Sequence, residues 1–191
     1  MIPALRWPLA LLLLVGTAFG AQAAAPEAAP LQVNEPRTDE VRETGSSLVW
    51  ARCAEGMRWS GHHCLGRPLL LSRTEAMQRA TERQRESGLA WRLPTAKELQ
   101  RLVKLNRQTE GLDPKLFPDA PLGWHWSATT RTNGQSVNAY RYDNIARGVS
   151  GESVNRLSFL QGWAVDLGTG DMNGEVAKKS EMPVRLVRNE R

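Results

Sequence analysis

The sequence predicts an α+β domain, and three observations carry that reading. Two helix starts are marked by capping boxes, Ser72 with Glu75 and Thr95 with Glu98, where a hydroxyl and a carboxylate each satisfy an orphan amide. Segments with the alternating pattern of strands gather later, between residues 124 and 188, so helices come early and strands late. Six of the seven tryptophans lie between Trp50 and Trp163, against three phenylalanines and two tyrosines in all, which locates the core.

Taken in order, residues 1–23 read as a secretory signal. Arg6 supplies a minimal positive start, residues 9–15 are apolar with five leucines, and Ala21-Gln22-Ala23 is a small-x-small cleavage site. The apolar run ends by Phe19, too short to cross a bilayer. No cysteine stands directly after the cleavage site, which argues against a bacterial lipoprotein anchor. The protein is therefore expected to be exported, periplasmic or secreted. Residues 24–46 carry Pro26, Pro30 and Pro36 without a sustained apolar period, and read as a flexible tether. The folded domain is expected over residues 47–191.

Residues 48–52 form a strand candidate that runs into Cys53 and a glycine-rich excursion with Gly56, Gly61 and Gly66. A helix follows from Ser72 to about Ser87, with Gly88 as its stop. Ala76, Met77, Ala80 and Thr81 would make its inner face, and Arg79, Glu82, Arg83 and Glu86 would face water. Pro94 keeps residues 91–93 extended, and the second helix starts at Thr95 with Leu99, Leu102 and Val103 on one face. Trp91, Leu93 and that stripe are expected to converge in a core. Residues 106–123 are mostly loop. Residues 124–130 read as a strand, Asn133-Gly134 as a turn, residues 137–142 as another strand and residues 143–156 as an exposed loop. Residues 160–167 and 171–177 pair as strands around Gly168-Thr169-Gly170, and residues 183–188 alternate as a terminal strand.

Without residues 1–23 the chain keeps 24 basic and 20 acidic residues, because only Arg6 is lost. A net charge of +4 favours polyanions but does not demand nucleic acid, and export removes DNA and RNA from the expected partners. No second segment is long and apolar enough to span a membrane. Cys53 and Cys64 are the only cysteines, and the exported context makes a disulfide between them the expectation. Closing so short a loop would contribute about 3 kcal/mol in the chain-entropy model.

The ordered motifs are Leu48-Val49-Trp50-Ala51-Arg52-Cys53, Gly56-Met57 with Trp59, Trp91-Arg92-Leu93-Pro94-Thr95 with Glu98-Leu99, Phe117-Pro118, Trp126-Ser127, Trp163-Ala164-Val165 and Val184-Arg185-Leu186-Val187-Arg188. As a set they resemble the Lcl C-terminal domain family, named for the Legionella collagen-like adhesin, over roughly residues 47–188. The resemblance implies a fold similar to C-type lectins and formylglycine-generating enzymes: two helices on a small mixed, mainly antiparallel sheet with long loops. It also implies that the first and last strands pair, residues 49–52 against 184–187. In the adhesin the domain binds sulfated glycosaminoglycans, but this sequence has no collagen-like stalk. The shared motifs are core and turn residues, so they carry a fold rather than a chemistry.

Candidate sites follow from residue type and spacing. Lys97, Arg101, Lys104 and Arg107 form a basic stripe on the second helix, opposite Leu99, Leu102 and Val103, able to hold sulfate or carboxylate groups. The plainer reading is a solvated helix face. Arg131, Arg141, Arg147 and Arg156 could add to such a patch. Cys53, His62, His63 and Cys64 lack the paired spacing of a zinc site, and a redox pair would need C-x-x-C. His125 and Ser127 share a strand face without a nucleophile elbow or an orienting acid, so they read as part of an aromatic wall between Trp124 and Trp126. Asp166, Asp171, Asn173 and Glu175 do not match a calcium loop, and a glycine hairpin explains them. No metal, cofactor or catalytic residue is expected. The sequence points to a non-enzymatic binding module for acidic or sulfated glycans such as glycosaminoglycans, or alternatively to an assembly partner of an envelope protein.

Overall fold

A computed structural model describes residues 30–106, 111–130 and 160–190. The expected signal, the strand at 137–142, the turn at Asn133-Gly134 and the loop at 143–156 lie outside them. The architecture is α+β, with two helices and three small antiparallel sheets among the described residues. In chain order these are β1 (Leu31–Val33), β2 (Glu40–Glu43), β3 (Leu48–Ala51), β4 (Met57–Trp59), β5 (Cys64–Gly66), α1 (Arg73–Ser87), α2 (Ala96–Leu105), β6 (Trp124–Trp126), β7 (Gln161–Asp166), β8 (Met172–Ala177) and β9 (Val187–Asn189). The sheets run β1-β2-β3-β9, β4-β5 and β6-β7-β8, so the single mixed sheet implied by resemblance is three antiparallel ones.

The tether expected over residues 24–46 is corrected in its second half. Leu31–Val33 and Glu40–Glu43 are strands that extend the sheet beside β3, with Val41 opposite Trp50 and Val33 opposite Val41. Prolines and charges hid them. Glu40 and Glu43 are 2% and 1% exposed, and each is buried against an arginine from far along the chain, Arg188 and Arg101. Local composition cannot show a carboxylate whose partner arrives from another element.

The pairing of early and late strands is present, with a shifted register. Val49 opposes Arg188 and Trp50 opposes Val187, while residues 184–186 meet the chain beyond β3 through Ala51 N–H to the Leu186 carbonyl and Glu55 N–H to the Val184 carbonyl. Both helix caps form as the spacing predicts. Glu75 N–H donates to Ser72 and Ser72 N–H to the Glu75 carboxylate, and Thr95 and Glu98 repeat the arrangement. Gly88 ends α1 in the left-handed conformation at φ 69°, which costs a glycine little. The inner face of α1 is narrower than expected: Ala76 and Ala80 are buried with Arg73, but Met77 is 48% exposed and Thr81 is exposed. Arg79 and Arg83 do not simply face water. They hold the buried Glu55 carboxylate at 2.8 and 3.2 Å.

Two apolar clusters make the core, on opposite faces of β7. Val165 joins Trp50, Leu99, Leu102, Val103, Phe117 and Val187, while Ala164 joins Ala76, Ala80, Trp91, Leu93, Trp126 and Leu186. Successive strand residues point to opposite faces, so β7 is buried on both sides. This corrects one expectation: Trp91 and Leu93 are buried, but in the cluster opposite the one that takes the α2 stripe. The chain turns at Pro94, and adjacent segments serve different cores. Trp163 lies over Gly174 of the next strand, where a Cβ would sit 2.7 Å from the indole, so only glycine lets β8 approach.

Candidate functional site

The α2 face is the first candidate. The stripe Leu99, Leu102 and Val103 is buried in the core, which turns Lys97, Arg101 and Lys104 outward, and all three are exposed. They are not equivalent. Arg101 is ion-paired through Nε with Glu43 of β2, a contact of charge with charge, since neither Glu43 oxygen accepts a well-aligned hydrogen bond. Lys97 and Lys104 have no side-chain partner among the described residues. Arg107 and the late-loop arginines Arg131, Arg141, Arg147 and Arg156 lie outside the described residues. At the start of the helix, Arg92 grips Glu98 with two bonds of 2.8 and 2.9 Å. Burial pushes the Glu98 carboxyl upward, but the Arg92 and Thr95 hydrogen bonds win and hold it below the usual carboxylate range.

The excursion after β3 is a hairpin, closed by the Cys53–Cys64 disulfide. With the disulfide formed, neither sulfur is a free thiolate that could ligate a metal. His62 and His63 are exposed, and His63 Nδ1 lies 3.1 Å from Asp119, whose same oxygen accepts Cys64 N–H at 3.2 Å. Among the described residues no three His, Cys, Asp or Glu side chains are grouped as a metal site needs.

His125 and Ser127 are both fully buried and do not form a dyad. Ser127 Oγ donates to the Trp163 carbonyl at 2.8 Å, and His125 Nδ1 donates to the Gly123 carbonyl at 3.0 Å. His125 Nε2 has no hydrogen-bond partner among the described residues. Burial pushes the imidazole pKa down from 6.5 to about 4, and the nearby Arg185 charge adds to this. Arg185 is itself buried over Phe117, donates Nη1 to the Ala51 and Arg52 carbonyls at 2.7 and 2.8 Å, and is lowered by burial to about 10. It stays cationic at neutral pH.

The unfolded histidine accepts a proton near pH 6.5, whereas the folded one resists until about pH 4. Its contribution is therefore complete above pH 6.5 and falls as the pH drops through that window, by up to about 3 kcal/mol. Urea denaturation at stepped pH should show this slope flattened between pH 6.5 and 5.5 in His125→Gln. A variant with the native slope would place the titration elsewhere.

The turn near Asp166 uses its carboxylates internally. Asp166 Oδ1 accepts Gly168 N–H at 2.7 Å and Thr169 N–H at 3.2 Å, and Asp171 accepts the Thr169 hydroxyl at 2.7 Å. Asn173 accepts Glu175 N–H at 2.8 Å. These are turn bonds.

One feature was missed by sequence reasoning. The β1–β2 turn, the disulfide hairpin and α1 enclose a groove of about 490 Å³ lined by Arg37, Thr38, Asp39, Arg58, Trp59 and Arg83, with Cys53 at its wall. Trp59 lines it as a fixed plate. Arg52 lies 4.0 Å from the centre of its ring, and the indole N–H donates to the Thr38 hydroxyl at 3.3 Å. Arg52 is rigid in turn, because its guanidinium donates to the Leu116, Thr38 and Lys115 carbonyls. The available signal was a tryptophan among glycines and arginines, outside any apolar period. Arg58 is its neighbour in sequence, but Arg37, Thr38, Asp39 and Arg83 come from elements well upstream or downstream, which pattern alone does not join.

The sequence model of the Lcl C-terminal domain matches residues 39–188. No curated protein and no solved structure matches the chain.

Proposed function

The chain belongs to the Lcl C-terminal domain family, and from that premise we propose that it is an exported, non-enzymatic binding module for acidic or sulfated glycans. The observation that carries the reading is the outward cationic face of α2, with Lys97 and Lys104 free of described partners on a helix whose other face is locked in the core. Such a face attracts a polyanion by charge, and salt weakens that attraction. The disulfide and the lack of a membrane-spanning helix among the described residues agree with export.

The Lys97→Ala/Lys104→Ala variant is expected to elute from immobilised heparin at clearly lower salt than the parent, with unchanged melting temperature. Arg101 must be left in place, because its loss would strand the buried Glu43 and mix stability with binding. Equal elution of parent and variant would remove α2 from the site. Elution of the parent below physiological salt would remove the sulfated-glycan reading. The second reading, an assembly partner in the envelope, draws on Leu65, Leu69 and Leu70, which are 52%, 43% and 54% exposed within six residues. It would be favoured by co-purification of an envelope protein that is lost when these leucines become polar.

A further inference from the structure

We propose that the groove beside the disulfide is a separate subsite that seats one carboxylated sugar ring, a hexuronic-acid residue of a glycan. This deepens the glycan reading and rests on it, but it places recognition away from α2.

The chemistry of the lining selects the ligand. A sugar ring presents a face of C–H groups that packs on an indole, and Trp59 lines the groove as an indole already held from behind by Arg52 and from its edge by Thr38. Little ordering remains to be done at the moment of binding. Arg37, Arg58 and Arg83 line the groove with Asp39 as the one acidic residue among the lining, so the lining itself favours an anion over a cation. Two of the three are partly spent, Arg83 on Glu55 at 3.2 Å and Arg37 on Glu40 at 3.5 Å. Arg58 is exposed and its side chain has no described partner, which leaves a planar fork for a carboxylate.

Asp39 decides between kinds of acidic sugar. Its side chain is exposed in the groove and has no described partner. A carboxylate there accepts hydrogen bonds from ring hydroxyls and repels a ring whose hydroxyls are replaced by sulfates. The groove therefore fits a ring with one negative charge and several free hydroxyls. A volume of about 490 Å³ holds one or two such rings, so the contact is with a residue of the glycan rather than with its whole length.

The test is calorimetric titration of the purified protein with an oligogalacturonate, its methyl ester, and a neutral glucose oligomer of equal length, beside the heparin column. The oligogalacturonate should bind, and the ester and neutral oligomer should bind at least tenfold more weakly. Arg58→Ala and Trp59→Ala should each reduce affinity tenfold or more. Arg58 is exposed, so its variant reports on the site even if Trp59→Ala fails to fold. Heparin retention without oligogalacturonate binding would overturn the groove proposal and leave the proposed function standing. Oligogalacturonate binding unaffected by Arg58→Ala would overturn it equally. Neither ligand being held would overturn both.

Discussion

Arg188→Met is expected to destabilise the fold by about 3 to 5 kcal/mol, the range seen when one partner of a buried ion pair is removed. Arg188 and Glu40 are 7% and 2% exposed, and Arg188 gives the Glu40 carboxylate two hydrogen bonds, from Nε and from Nη2. The loss leaves an anion in the core sheet. Asn34 at 2.7 Å and the half-exposed Arg37 at 3.5 Å still reach Glu40, so the lower end of the range is expected. Urea denaturation measures the change. Glu40→Met/Arg188→Met together should recover most of the loss, because the stranded charge goes with its partner. A single variant within about 1 kcal/mol of the parent would mean that water reaches Glu40.

Trp126→Ala should cost a similar amount, about 3 to 5 kcal/mol, for a different reason. Trp126 is fully buried between Ala164 and the α1 alanines, where collapse around a missing indole is limited. Its Nε1 also donates to the Leu71 carbonyl at 2.9 Å and the Ser180 carbonyl at 3.1 Å. Trp126→Phe separates the two effects. It keeps most of the apolar volume but removes the indole donor, so that the Leu71 carbonyl keeps only Met182 N–H and the Ser180 carbonyl loses its described side-chain donor, for a loss of about 1 to 3 kcal/mol. If the alanine and phenylalanine variants lose equally, hydrogen bonding rather than packing is the larger part. If neither moves the denaturation midpoint, the second core cluster does not exist as described.

These two residues also mark where the chain was readable. Trp126 stands in a short apolar strand, and burial is the simplest reading of such a residue. Arg188 ends an alternating segment and looks like a surface charge. Only the fold brings Glu40, a residue assigned to a tether, to within its reach. The same holds for Arg101, read as a ligand contact, and for Arg79 and Arg83, read as solvated. Each serves a buried glutamate on another element.

The local grammar of the chain was therefore determined by sequence alone. The caps at Ser72 and Thr95, the left-handed stop at Gly88, the α2 stripe, the glycine turn before β8 and the disulfide loop all depend on residues within a dozen positions of one another. Their energies are local, so spacing reveals them. Tertiary structure alone decided which charges are free. It placed three carboxylates in the interior, assigned arginines to them across the chain, and left Lys97, Lys104 and Arg58 without described partners. A buried charge is tolerated beside a counter-charge or, as for Arg185, beside carbonyls that accept its hydrogen bonds, and those neighbours are chosen by the fold, not by the sequence around it.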